Sequence, residues 1–379
     1  MKEYDAVIVG GGIAGSVAGR YLAKHDFDTL IVESAYTPRE KPCSAIQFKY
    51  FERIIGKEIP PEKLCTNPLN RLYMELPSRK SMKLPFSMLN FTRDVFDDWL
   101  NQIAEEAGSQ FRDGVRCEDF EREEDGFLVT LHPKHEKREK VKTKYLIAAD
   151  GLTSSIRKKV RPQDFDADDP GVTLNYYFDD YTEGDLDPNT LYQFWNTDYS
   201  NLMFAWSYKK NDKWVIGTGH TDDVASHCNK LVDYIEDKFN FNGNITKKEG
   251  FASQFCLQDP DHVYLGNGNL FFIGDAAGLV DLYRGLGMDA AALSGRRLAK
   301  AIRKGEKKGK PPLKYYKKYM RRTRRKIRKN TEKQMESFEN NKQLSKYLKR
   351  SSLKTGICTL FGSLVNKILP VNKLILLPY

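Results

Sequence analysis

The chain has 379 residues, enough for roughly two to three domains at about 150 residues each. Hydrophobic residues make up 40% and charged residues 30%, which supports a large core and excludes a disordered chain. A mean hydropathy of −0.59 excludes a polytopic membrane protein. The net charge of +10 conceals a division: residues 296–354 carry 24 Lys+Arg against 4 Asp+Glu, leaving 37 against 47 elsewhere. An acidic body with one basic segment points to a specific anionic partner. The six cysteines (Cys43, Cys65, Cys117, Cys228, Cys256 and Cys358) form no CxxC pair, which argues against a zinc site and for a reducing compartment.

In chain order, Met1-Lys2-Glu3-Tyr4-Asp5 leads directly into the apolar run Ala6-Val7-Ile8-Val9, so we expect no signal peptide and a cytoplasmic location. That run ends in Gly10-Gly11-Gly12-Ile13-Ala14-Gly15; a helical stretch follows to about His25, then Thr29-Leu30-Ile31-Val32 and Glu33. This is the pattern of a βαβ unit with a parallel sheet. Residues 94–108 are helical in spacing, 127–142 read as a hairpin with a charged tip, and 145–149 as a separate buried strand ending at Asp150-Gly151. From about residue 170, runs at 172–178, 191–195, 202–208 and 213–219 predict an antiparallel sheet rich in aromatic residues. The parallel-sheet pattern returns at 269–275, and the chain is helical and basic beyond Pro311.

The first glycine cluster has a direct physical use. Gly10 permits the tight turn, Gly12 lets backbone amides approach a pyrophosphate, and Gly15 lets helix and strand pack closely, with Ile13 and Ala14 between them. The helix N-terminus adds partial positive charge. Glu33, followed by Ser34, stands at the end of the second strand, where it accepts hydrogen bonds from an adenosine ribose.

Two later motifs separate FAD from NAD. Asp150-Gly151-Leu152-Thr153-Ser154-Ser155-Ile156-Arg157 matches DGxxSxxR, and Gly274-Asp275-Ala276-Ala277-Gly278 matches GDAAG. With Arg93-Asp94-Val95-Phe96-Asp97, they resemble the flavoprotein group of aromatic hydroxylases, flavin halogenases and geranylgeranyl reductases. The resemblance implies that Asp275 binds the ribityl chain of FAD and that Arg93 lies beside the cofactor. Gly285, Gly287 and Met288 then lead a helix whose positive end faces the flavin.

Within that group, Lys41-Pro42-Cys43-Ser44 is similar to the Lys-Pro-Cys-Gly loop of archaeal geranylgeranyl reductases, and residues 281–288 run along their NPLTGEGI segment. Residues 201–209 align with their PxxYxWxFP motif, but only Trp206 is retained outright, and Phe204 and Tyr208 are aromatic substitutes. Side chains alternate along a strand, so Phe204, Trp206 and Tyr208 share a face. That face lines an isoprenoid tunnel, holds a flat aromatic substrate, or is ordinary core. For Cys43 the resemblance implies a place near the flavin, where it protonates or orients an alkene carbon; the other reading is a thiol without chemistry. Tyr283 is a second catalytic candidate. Arg284 holds a reduced flavin or substrate anion, or makes a solvent-facing salt bridge. No histidine spacing supports a metal site.

The fold expected is α/β: an FAD-binding, Rossmann-like domain of the GR2, aromatic-hydroxylase-like type, from residues 1–60, 88–165 and 262–302. An antiparallel-sheet substrate domain (61–87 and 166–261) is inserted in it, and a basic helical region (303–379) follows. The resemblance implies a reductase that saturates prenyl double bonds of a membrane lipid or polyprenyl compound by hydride transfer from reduced FAD; the alternative is a flavin monooxygenase or halogenase acting on an aromatic molecule, although no halogenase lysine is assignable. With no second GxGxxG, the electron donor, NAD(P)H or a ferredoxin-like protein, is transient. Residues 357–369 place Ile357, Leu360, Phe361, Leu364, Val365, Ile368 and Leu369 on one helical face, with more apolar surface at 374–377. These helices either roof the substrate tunnel or lie on an anionic membrane surface. Nucleic acid is not an expected partner, because no stacking or groove-reading element accompanies the charge.

Overall fold

The computed structural model describes residues 1–165, 172–253, 257, 259–371 and 374. Cys256 and residues 375–377 lie outside the described residues, as do the side chains of Ile357, Leu360 and Cys358.

The chain begins with β1 (Lys2–Val9), α1 (Ile13–Ala23) and β2 (Thr29–Val32), then β3 (Ile46–Phe48) and the short α2 (Tyr50–Ile55). After β4 (Leu69–Glu75) and β5 (Ser81–Asn90) come α3 (Arg93–Glu105), β6 (Gln110–Arg112), β7 (Val115–Glu123), β8 (Gly126–Pro133), β9 (Glu139–Ala148) and α4 (Ser155–Val160). A second strand-rich stretch holds β10 (Val172–Thr182), β11 (Thr190–Phe194), β12 (Ala205–Lys210), β13 (Lys213–His220), α5 (Val224–Phe239) and β14 (Asn242–Ala252). The chain closes with β15 (Gly266–Asn267), β16 (Leu270–Phe272), α6 (Met288–Lys308), α7 (Pro312–Ser337) and α8 (Asn341–Asn366).

Two sheets organise these elements. The first runs β15-β16-β9-β1-β2-β6, with β7 and β8 attached through β9. β1 pairs in parallel with β2 and with β9, and its inner residues are covered on both faces, which explains their unbroken apolar run. α1 packs closely on this sheet because it carries small residues: a side chain on Gly15 would stand 1.9 Å from the Gly10 carbonyl oxygen. Gly10 itself has φ +114°, the left-handed region that a glycine enters without strain.

The second sheet runs β14-β10-β13-β12-β11-β4-β5-β3 and is antiparallel except for β4 against β11. One face packs on α5 through Tyr176, Phe178, Trp214 and Ile235. The other carries Leu191, Phe204, Trp206 and Tyr208, against Phe338 and the first half of α8.

The structure corrects three boundaries. Residues 139–148 form one continuous strand, because the hairpin arm and the buried run share a register with β1. Residues 202–204 precede the strand at 205–210, since Ser200, anchored to the Gly219 carbonyl, turns the chain there. Ile46–Phe48, grouped by sequence with the first sheet, hydrogen-bonds to β5 in the second, and β5 itself runs on to Asn90. The region beyond Pro311, read as helical, forms α7 and α8.

Candidate functional site: a dinucleotide cradle opening on an aromatic chamber

A cavity of about 770 Å³ runs from the glycine turn to the second sheet. At one end it is lined by Gly10, Gly12, Ile13, Ala14, Glu33 and Ser34; Arg93, Asp150 and Gly151 follow. Its middle is formed by Cys43, Ser44, Asp275, Gly285, Gly287 and Met288, and its far wall by Phe204, Trp206 and Tyr208. Thus residues more than 250 positions apart in the chain converge on one space.

Two carboxylates mark the two ends of the cradle. Glu33 accepts the Gly11 N–H at 3.0 Å and the Ala35 N–H at 3.1 Å, and Arg39 approaches it at 3.2 Å. At the other end Lys41 donates to Asp275 at 3.2 Å. Arg39 and Lys41 flank this end of the Cys43 loop but were not assigned by sequence; Lys41 pairs with a residue 234 positions away, which no local spacing reveals. Arg93 is buried in a bidentate pair with Asp97, at 2.8 and 2.7 Å. Burial alone would lower the affinity of its guanidinium for a proton, but Asp97 and the nearby Cys43 outweigh it and push its pKa up.

The DGxxSxxR motif is a structural clamp. Asp150 accepts from Ser154 Oγ at 2.6 Å and from the Ile156 N–H at 3.3 Å, and Ser154 in turn caps α4 by accepting the Arg157 N–H at 3.0 Å. Burial raises the pKa of its carboxyl despite these bonds. Arg157 pairs with Asp164 and donates to the carbonyls of Ala276 and His262 at 3.2 and 2.6 Å. The motif thereby fixes the turn that presents Asp275.

Four predicted residues stand off the cavity. Gly15 provides close packing, and Gly274 donates its N–H to Ser294 Oγ at 3.0 Å. Tyr283 is a correction: its hydroxyl meets that of Tyr347 in an aromatic cluster behind the wall, so it does not face the cradle. Arg284 is a second correction. It is neither solvent-facing nor on the cavity; it is fully buried, bound to Asp281 at 2.7 Å and Asp289 at 2.9 Å. Tyr50 donates to Asp289 at 2.6 Å, and Asn330 of α7 donates to Asp281 at 2.8 Å. Burial alone would raise the Asp289 carboxyl, but Arg284 and Tyr50 hold it below the usual carboxylate range.

Cys43 sits where cradle and chamber meet. Its Sγ lies 3.8 Å from Met288 Sδ and accepts the Ala45 N–H at 3.4 Å. Trp206 is oriented by Asn175, also on the cavity wall, to which it donates at 2.8 Å.

The donor set suits a long dinucleotide with a flat head. The lining combines the glycine turn at the start of α1, an acid near each end (Glu33 and Asp275), and glycines at 285 and 287. The FAD binding domain family matches residues 84–333, and the NAD(P)-binding Rossmann-like domain matches residues 8–38. The chain belongs to the FAD binding domain family. It is an FAD-dependent oxidoreductase.

Among relatives of this flavoprotein, the digeranylgeranylglycerophospholipid reductase of Methanococcus vannielii is 25% identical over 316 residues, covering 79% of this chain and 78% of that protein. A geranylgeranyl bacteriochlorophyll reductase-like structure from Thermoplasma acidophilum superposes with a TM-score of 0.79 at 20% identity, covering 99% of this chain and 94% of that one. The flavoprotein also shares its fold with the halogenase PltM, with a TM-score of 0.72 at 16% identity over 96% of this chain and 82% of that one.

Proposed function

We propose that this flavoprotein saturates prenyl (geranylgeranyl) double bonds of a membrane lipid or polyprenyl compound. The observation that carries this reading is the continuity of the cavity: the cradle opens on a buried row of three aromatic side chains with Cys43 at the junction. The relatives named as geranylgeranyl-type reductases support it.

When bound, reduced FAD supplies the hydride equivalent that an alkene carbon accepts. The chain's own residues do the rest. Phe204, Trp206 and Tyr208 hold the prenyl chain and exclude water, so catalysis rests chiefly on positioning. Cys43 gives its thiol proton to the other alkene carbon, and solvent restores that proton afterwards. Arg93, fixed by Asp97, keeps positive charge beside Cys43. A nicotinamide or a small ferredoxin-like protein renews the reducing equivalents.

Mass spectrometry of a digeranylgeranyl phospholipid incubated with the reduced protein under argon tests this. The expected product gains two hydrogens per double bond, and Cys43→Ala lowers its formation by about 100-fold while leaving bound FAD unchanged. A product carrying oxygen or halogen, formed only in air, would instead support the monooxygenase or halogenase reading and overturn this one.

A further inference from the structure

The last helix is fixed with Phe361 and Leu364 of its final turns outward. At its start Asn341 accepts the Thr197 N–H at 2.9 Å and donates to Asn196 at 2.8 Å. Leu344 and Leu348 then pack on the chamber wall, and Tyr347 meets Tyr283. Beyond its end Arg53 of α2 donates to the carbonyls of Asn366 and Leu369, at 2.8 Å to the latter. Held at both ends, the helix has a set rotation. Asn366 is buried, whereas Phe361, Leu364 and, in the turn that follows, Ile368 are 64%, 63% and 82% exposed. This inverts the usual arrangement, in which a surface helix turns its apolar stripe to the core.

The charges along the same side complete the pattern. At about 100° per residue, Lys346 and Arg350 fall within about 60° of Phe361, Leu364 and Ile368 around the helix axis. Both cations are exposed. The sequence of α8 holds five Lys/Arg and no Asp/Glu. Among the described residues, no helix is long and apolar enough to cross a membrane. One side that is cationic in its first half and apolar in its last turns fits a surface that presents anionic headgroups above acyl chains.

We propose that the outward side of α8 docks on an anionic lipid surface, so that the helix whose first half backs the substrate chamber also seats the protein where its substrate resides. The second half of that statement rests on the prenyl-reductase reading; the docking does not.

Co-sedimentation of the FAD-loaded full chain with phosphatidylglycerol and with phosphatidylcholine vesicles tests it. The wild-type chain is expected to bind phosphatidylglycerol vesicles more tightly, with affinity falling as salt rises. K346Q/R350Q lowers that affinity by about 30-fold and leaves phosphatidylcholine binding unchanged. F361S/L364S/I368S lowers binding to both by at least about tenfold, with FAD content and turnover of a detergent-solubilised prenyl substrate unchanged. Docking fails if the wild type does not sediment with phosphatidylglycerol, or if the triple variant binds as the wild type does. It also fails if sedimentation equilibrium shows a wild-type dimer that the triple variant dissolves, because the patch is then a contact between copies. Loss of turnover on solubilised substrate by the wild type overturns the reductase reading and leaves the docking result standing.

Discussion

Lys210 is a buried cation of β12. It continues the row Trp206, Tyr208, Lys210 along β12, and donates to Asn90 Oδ1 at 2.8 Å and to the Phe91 carbonyl at 2.6 Å. Burial pushes its pKa down to about 8, against the weaker opposing pull of Cys65, Cys43 and Asp94. The unfolded value is about 10.4, so the folded protein releases this proton first. The cost of burying the charge is therefore full below about pH 8 and is relieved as pH rises toward 10.4. Urea unfolding of the wild type and Lys210→Met at pH 8 and pH 9.5 measures this: the wild type should gain about 1.5 kcal/mol relative to the variant over that interval. A gap that does not change with pH would mean the ammonium is not desolvated. At this scale the local signals were legible: the Gly10–Gly15 turn and Glu33 announce themselves by spacing. Lys41 and Lys210 were not, because each finds its partner in a distant part of the chain. Lys41 and Asp275 are 234 positions apart.

Among the elements, the turn between β16 and α6 is held by charge rather than by apolar packing alone. Arg284 lies between Asp281 and Asp289, and those carboxylates are also bound by Asn330 of α7 and Tyr50 of α2. Four segments thus share one buried ionic cluster beneath the loop at Gly285–Gly287. Arg284→Met would leave two carboxylates in the core without their cation, at a cost of about 3–5 kcal/mol. Chemical denaturation reads the loss directly; a variant within about 1 kcal/mol of the wild type would show that the cluster tolerates rearrangement. The elements themselves were largely readable from periodicity, since α1, α3 and α7 each carry an apolar repeat that the structure buries. What periodicity does not carry is which way an amphipathic helix faces. The repeat in α8 is the same whether its apolar side meets the core or solvent; the clamps at Asn341 and Arg53 and the packing of Leu344 and Leu348 decide it.

On the scale of the molecule, the two sheets have separate tasks: the first builds the cradle and the second supplies the aromatic wall, with the 39–45 loop joining them. A salt bridge from Glu40 to Lys247 at 2.6 Å ties that loop to β14. The α/β class, the cofactor and the aromatic row were visible in sequence because each is written in a short motif. The shape and reach of the cavity were not, since it is assembled from both sheets and from the first turns of α1 and α6. The central claim is that a bound flavin faces a chamber for an unsaturated chain. Stopped-flow absorbance of the FAD-loaded, photoreduced protein, mixed under argon with a geranylgeranyl lipid, tests it most directly. The account predicts return of the oxidised flavin spectrum in proportion to double bonds consumed; a spectrum that stays bleached until air is admitted would contradict it.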